Sequence, residues 1–238
     1  MEEEDSIVTL LVPAAGVGLR MGGTPKQYRL LGGVPLLVHT LRRFEEARGV
    51  HHIVVAAPPE DVASLANTLR HHGIRKTRAI VEGRATRQAS VAAALEAAPE
   101  QTTIVLVHDA VRPFVPQACI HDVIAAARRE GAAALAIPVA DTLRRGSGGT
   151  MGETLDREGL YRMQTPQAVR RDWFIEAHAA AHEEGYEGTD DVGLVKRIGR
   201  RVALVAGSPL NVKLTTPEDW ALAEAVWTIR ERNLAEDA

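Results

Sequence analysis

The chain has 238 residues, 45% of them apolar, which is enough to bury a substantial core within the size of one α/β domain, residues 1–238. Its 28 basic and 31 acidic residues leave a formal charge of -3, and only 4% of residues are aromatic. Neither a global positive field nor a stacking platform for nucleic acid is present, so an anionic ligand must be met by local cations. The lone Cys119 excludes an internal disulfide, and no long apolar run or basic leader precedes the first strand, a pattern that reads as cytoplasmic with no membrane contact.

After an acidic start, Met1 to Asp5, the apolar run Ile7 to Val12 predicts a buried strand. It runs into Pro13-Ala14-Ala15-Gly16-Val-Gly18-Leu-Arg20-Met-Gly-Gly-Thr-Pro-Lys26-Gln-Tyr28, a loop of small residues with two cations. Glycines let backbone N–H groups come close to phosphate where a strand turns into a helix, and Arg20 and Lys26 add charge. Met21 stands where a dinucleotide fingerprint needs its third Gly or Ala. Thr24-Pro25 follows Gly23 where a Walker loop needs Lys and then Ser or Thr. The loop is neither of those motifs.

Helical spacing of apolar residues then predicts helices over Pro35 to Glu46, Asp61 to Arg70, Gln88 to Ala97 and Gln117 to Arg129. Between them lie apolar runs at His52 to Ala56, Arg78 to Val81, Ile104 to Val107 and Ala133 to Val139, with Val202 to Val205 further on. Alternating strand and helix implies βαβ units, a mostly parallel sheet with helices on both faces, and ligands at the strand C-terminal ends. The fourth strand ends in Val107-His108-Asp109-Ala110-Val111-Arg112-Pro113. A carboxylate at such a tip can hold Mg²⁺, which takes hard oxygens from one or two carboxylates, water and phosphate. Asp109 could instead cap the following turn and pair with Arg112. His108 reads as a packed or hydrogen-bonding residue rather than a base, and Cys119 as a packed thiol on a helix.

After Pro138 the alternation breaks. Asp141-Thr142-Leu-Arg-Arg-Gly-Ser-Gly-Gly-Thr150 is polar and glycine-rich, and the chain from about 139 to 161 predicts a protruding hairpin arm. A lone hairpin is marginal in water, so the arm is expected to pack on a second subunit of a homodimer. Beyond it, Arg157, Thr165-Pro-Gln167, Thr189-Asp-Asp191 and Asn211-Val-Lys213 supply hydroxyl, amide, acid and cation groups. Taken singly, Arg157 and Lys213 read equally as solvated cations, and Asp190 and Asp191 as a helix start. No nucleophile elbow or HExxH helix is present. Cations around a phosphate loop with one strand-tip acid are equipment for electrostatic stabilisation of phosphoryl-type transfer.

In their order and spacing, the first loop with Pro25-Lys26-Gln27, Val107-His-Asp-Ala-Val-Arg-Pro113, Asp141-Thr142, Asp156-Arg157, Thr165-Pro-Gln167 and Asn211-Val-Lys213 resemble the 2-C-methyl-D-erythritol 4-phosphate cytidylyltransferases, from about residue 7 to 225. The resemblance implies a Rossmann-like nucleotidyltransferase fold, Mg²⁺ dependence, and transfer of CMP from CTP to the polyol phosphate with release of pyrophosphate. It implies that Arg20 and Lys26 neutralise the transition state, that Lys213 helps hold the attacking phosphate, and that Asp109 carries the metal. On the CTP side it sets Pro13, Ala14, Ala15, Gly16, Gly18, Gly83, Arg87, Ser90 and Arg112. On the acceptor side it sets Thr142, Arg157, Thr165, Thr189 and Lys213, with part of the arm donated by the neighbouring subunit. Two positions depart from the family pattern: Arg84 stands where a second glycine is usual, and Val111 where Ala is common. Ribitol-5-phosphate cytidylyltransferase resembles the same loop and strand-tip motif, and Val111 leans toward it, while Asp156-Arg157-x-x-Leu160 leans toward the methylerythritol family.

Overall fold

A computed structural model of the chain describes residues 6–16 and 25–236, with side chains to residue 229. Its frame is a seven-stranded sheet. The strands are β1 (Ile7–Pro13), β4 (His52–Ala57), β5 (Thr77–Glu82), β6 (Thr102–Val107), β7 (Ala132–Pro138), β10 (Tyr161–Arg170) and β11 (Ala203–Ala206), in the order β11-β7-β10-β6-β1-β4-β5. All run the same way except β10, which is antiparallel to both neighbours. The six predicted strands are present, and the four predicted helices appear as α1 (Leu36–Glu45), α2 (Val62–His71), α3 (Arg87–Glu96) and α4 (Gln117–Glu130).

Strand alternation sorts the apolar residues onto two faces. Val8, Leu10 and Val12 of β1, with Ile53, Val55, Ile104 and Leu106, pack against Leu37, Leu41 and Phe44 of α1, Leu65 and Leu69 of α2 and Ile120 and Val123 of α4. Leu11, Val54, Val105 and Val107 point the opposite way, toward Val91 and Leu95 of α3, Phe174 of α5 (Arg171–Glu183) and Val192 of α6 (Asp191–Arg197). Helix α4 stops at Gly131, whose φ of +88° favours glycine and whose absent Cβ leaves room for the Trp173 ring. A third apolar group seats α7 (Pro217–Glu236) through Trp220 and Ala223 on Leu31 of the small β2 (Leu30–Leu31), β3 (Val34–Pro35) hairpin.

The strand the sequence does not announce is β10. Proline cannot donate to a ladder and is rare in central strands, yet Pro166 lies inside this one, between β7 and β6. The pairing with β7 shifts register between Met163 and Gln167, so the missing N–H falls at an irregularity. The Thr165–Pro166 peptide is cis. The arm is a hairpin of β8 (Leu143–Ser147) and β9 (Thr150–Leu155) turning on Gly148 and Gly149, at φ +56° and +77°, the two-residue turn that matches strand twist. Among the described residues no helix is long and apolar enough to cross a membrane.

Candidate active site

The parallel strands β1, β4, β5 and β6 all end on one side of the sheet, and there a cleft of about 430 Å³ opens between the first loop, the 84–87 loop, Asp109 and Lys213. Two bonds fix the start of the first loop. Ala14 N–H donates to Ala56 O at 2.7 Å, extending the β1–β4 ladder, and the buried amide of Gln27 donates to Ala14 O at 2.7 Å. Gly16 lines the cleft, and among the described residues a Cβ there would meet no atom within 4 Å. Lys26 lines the same cleft from a short 3-10 turn, Lys26–Tyr28. Gly18 and Arg20 lie outside the described residues.

Asp109 sits just past the tip of β6, 7% exposed. Arg87 Nε lies 3.2 Å from Oδ1, and Arg112 Nε and Lys213 Nζ each lie 3.1 Å from Oδ2. Burial alone would raise this carboxyl, but the charges of Arg87, Lys213 and Arg112 outweigh it and hold it well below the usual carboxylate range. The pairing of Asp109 with Arg112 read as one possibility from sequence is therefore formed, with two further cations beside it. Arg87 also reaches Asp191 at 2.7 Å. Lys213 is brought to Asp109 because Leu214 N–H, the next residue, donates to Val111 O at 3.0 Å. No group of three or more His, Cys, Asp or Glu among the described residues is arranged to hold a metal.

Behind Asp109 runs a buried polar chain whose donors can be assigned. Arg112 O can only accept, so His108 Nε2, 3.0 Å away, carries the ring proton and Nδ1 is an acceptor. Thr165 Oγ1, 3.1 Å from Nδ1, must then donate to it, and it accepts Asp109 N–H at 3.1 Å. Burial pushes His108 down to about 4, so the ring stays neutral near pH 7 and supports these bonds. His108 is thus a packed, hydrogen-bonded residue, with Phe44 4.7 Å from its ring. Thr165 enters opposite Asp109 because β10 is antiparallel to β6, with Gln167 paired to Val107. Its hydroxyl is taken up inside the wall rather than turned to the cleft.

The other wall is the loop after β5. Gly83 N–H donates to Ala57 O at 2.7 Å, and a Cβ on Gly83 would lie 2.1 Å from the Ala15 Cβ, so the two loops touch only because this residue is glycine. Ser90 accepts Arg84 N–H at 2.9 Å and its hydroxyl meets Arg84 O and Thr86 O, shaping the loop from within. Thr86 caps α3 by accepting Ala89 N–H. Arg112 is not among the residues that line the cleft; it is tied to Asp109 at 3.1 Å and to Asn211 O at 2.8 Å.

Three carboxamides take roles that the sequence reading does not assign: Gln27 and Asn211 enter it only within motifs, and Gln164 does not enter it. Gln27 pins the phosphate loop. Gln164 Oε1 accepts Asn211 Nδ2 at 3.2 Å, and Asn211 Nδ2 donates to Thr165 O at 2.7 Å, tying the Lys213 segment to β10. Their signal is a carboxamide placed inside a buried stretch, where an amide can both donate and accept. Of the residues that the resemblance sets on the acceptor side, only Lys213 lines this cleft. Thr142 and Arg157 are exposed on and beside the arm, with the Arg157 guanidinium on Ala140 O, and Thr189 is exposed before α6. Asp190 caps α6 by accepting Gly193 N–H, the helix-start role that its position suggests.

A mostly parallel sheet whose strand tips gather a small-residue loop, lysine and arginine side chains and one ionised carboxylate defines a nucleotidyltransferase. The model of the 2-C-methyl-D-erythritol 4-phosphate cytidylyltransferase family matches residues 8–229, and the chain belongs to that family. It is similar to the proteins of that name from Salinibacter ruber, 51% identical over 220 residues that make up 92% of each chain, and from Pelotomaculum thermopropionicum, 46% identical over 96% of this chain and 98% of the other. Among solved structures it is similar to the 2-C-methyl-D-erythritol 4-phosphate cytidylyltransferase of Thermus thermophilus, with 39% identity, a TM-score of 0.78, and coverage of 93% of this chain and 99% of that one. The 4-diphosphocytidyl-2C-methyl-D-erythritol synthase of Anaerococcus prevotii is 28% identical with a TM-score of 0.83, over 94% of this chain and 97% of that one.

Proposed function

We infer that this chain transfers the cytidylyl group of CTP to 2-C-methyl-D-erythritol 4-phosphate, giving 4-diphosphocytidyl-2-C-methyl-D-erythritol and pyrophosphate for non-mevalonate isoprenoid synthesis. The observation that carries this is family membership across residues 8–229, with lysines retained on both sides of the strand-tip cleft. The acceptor phosphate is anionic near neutral pH, so one of its oxygens attacks the α-phosphorus of CTP without a general base. Pyrophosphate leaves on the opposite side. The barrier is repulsion between anions, and the work of the site is to neutralise it. Lys26 and, by sequence, Arg20 serve the reacting phosphorus from the first loop, and Lys213 serves the attacking phosphate. Pro13 to Gly16, Gly83 and Arg87 frame the nucleotide, with Ser90 and Arg112 holding that frame.

Asp109 is the residue that would hold Mg²⁺. It offers hard oxygens on the cleft wall and stays ionised, the donor type that Mg²⁺ takes alongside phosphate and water. The ion would supply charge neutralisation on the triphosphate. Lys213, the most exposed of the three cations on Asp109, is the partner best able to yield an oxygen. The exposure of the arm supports a homodimer in which Thr142 and Arg157 of one copy serve the acceptor of the other. Thr165 and Thr189 belong to the acceptor side of this reading, Thr165 through the wall it holds. A cytoplasmic location is in keeping with the single, unpaired Cys119.

The test is pyrophosphate release from CTP and Mg²⁺ with methylerythritol 4-phosphate and, separately, with ribitol 5-phosphate. Turnover with the first acceptor is expected; preference for ribitol 5-phosphate would overturn the assignment. Lys26→Ala is expected to lower kcat by about 10²–10³, the scale of losing one charge-stabilising group. Near-normal kcat in that variant would remove Lys26 from the mechanism.

A further inference from the structure

Arg84 stands on the loop between β5 and α3, and its side chain turns to the end of that helix. The guanidinium grips Glu96, the last residue of α3, with Nη1 to Oε1 at 3.0 Å and Nη2 to Oε2 at 2.5 Å. That is a two-pronged fork, the geometry in which an ion pair holds orientation as well as charge. Arg84 itself lines the nucleotide cleft. Its backbone is stitched to Ser90 on both sides, through N–H and carbonyl. One residue earlier, Gly83 touches the first loop with no room for a side chain, and three residues later Arg87 grips Asp109 and Asp191. A displacement of Arg84 is therefore passed to both walls of the cleft.

We propose that the Arg84–Glu96 pair is a brace that positions the nucleotide-binding loop for CTP, with Glu96 drawing the Arg84 guanidinium out of the cleft. Arg84 is in this sense a positioning residue, acting through the loop backbone and Arg87. The alternative destination for its charge is close: a cation bordering a triphosphate site is attracted into it. There it would compete with Lys26 and Lys213 for phosphate oxygens and drag the loop after it. Glu96 removes that competitor. Both partners are partly exposed, with side-chain exposures of 48% and 62%, so the effect is bounded by what solvent leaves of an ion pair.

The inference rests on CTP being the nucleotide, and the experiment separates the two. Steady-state KM for CTP, KM for the acceptor, kcat and melting temperature are measured for the wild-type chain, Arg84→Ala, Glu96→Gln, the double variant, and the reversed pair Arg84→Glu with Glu96→Arg. Each single variant is expected to raise KM for CTP by about two- to fivefold, the range open to a well-formed exposed ion pair. KM for the acceptor and kcat are expected to stay within twofold, on the order of the smallest effect counted. The double variant is expected to match Arg84→Ala, because without Arg84 there is neither a brace nor a cation for Glu96 to hold. The reversed pair is expected to recover most of the loss. An unchanged KM for CTP in both single variants overturns the brace, as does an additive double variant or a reversed pair no better than the singles. A parallel rise in both KM values with a fall in melting temperature assigns the pair to general stability and also overturns it. Absence of wild-type turnover with CTP would strike the functional reading instead.

Discussion

The wall of the cleft and the arm are built differently. The wall at the tips of β6 and β10 is largely buried, with Asp109 gripped by three cations and backed by Thr165 and His108. The arm is exposed along almost its whole length, and Met151 near its tip is 70% exposed. A buried polar network is costly when half satisfied, so a group lost from the wall is felt in the stability of the whole fold. The arm carries no such obligation. Stability and chemistry are consequently coupled at the wall and separable at the arm, and substitutions at each can break or sharpen that contrast.

The largest effect is expected at Asp109. Asp109→Asn removes the one negative charge shared by Arg87, Arg112 and Lys213, leaving partly buried cations facing one another. Loss of one partner from a buried pair costs several kcal/mol, and with Arg87 and Lys213 partly exposed the expected cost is about 3 kcal/mol, read by urea unfolding. Turnover should fall with it. A variant of wild-type stability would show that the cations do not depend on this acid.

Thr165→Val comes next. It preserves shape but strips the hydroxyl that accepts Asp109 N–H and donates to His108, leaving two buried groups unpaired at a cost of roughly 1–3 kcal/mol. The same variant separates two roles for Thr165. If stability falls while KM for the acceptor holds, Thr165 serves the wall; if only the acceptor KM rises, the hydroxyl acts on substrate.

The third effect concerns pH. Burial, and then the charge of Arg87, push the His178 imidazole from its ordinary 6.5 down to about 4. The folded state therefore binds fewer protons than the unfolded chain between those values. The stabilisation is complete above pH 6.5 and is lost as pH falls toward 4, by on the order of 2 kcal/mol for this group. His178→Phe, which keeps an aromatic against Phe174, should flatten that part of the stability profile. An unchanged slope between pH 6.5 and pH 4 would mean that His178 titrates normally.

The same contrast explains what could be read in advance. Six strands and four helices follow from apolar period alone, since each buries one face in full, as Leu10 and Leu11 do on opposite sides of β1. The strand tips and their chemistry were legible because motif residues cluster where parallel strands end. Strand β10 was not, since Pro166 and the polar Gln164, Thr165 and Gln167 mimic a loop; only the register shift and the polar chain around them make a central strand of that sequence. Nor could sequence assign the inner roles of Ser90 and Arg112. A serine that reads a ligand and one that ties its own loop are the same letter, and only the distances to Arg84 and Thr86 distinguish them.

Arg157 gives the smallest effect on stability and the sharpest test of separability. Its side chain is exposed and hydrogen-bonds Ala140 O, so Arg157→Ala is expected to change unfolding free energy by less than about 0.5 kcal/mol. Arginine can hold phosphate with a planar fork that alanine cannot replace, so KM for the acceptor should rise by about tenfold or more while KM for CTP stays near its wild-type value. Mixing Arg157→Ala with Lys26→Ala then asks where the arm acts. If the arm serves the neighbouring copy, mixed dimers hold one site with both intact residues, and activity returns on mixing two weak variants. If each arm serves its own chain, every site in the mixture keeps one defect and nothing returns.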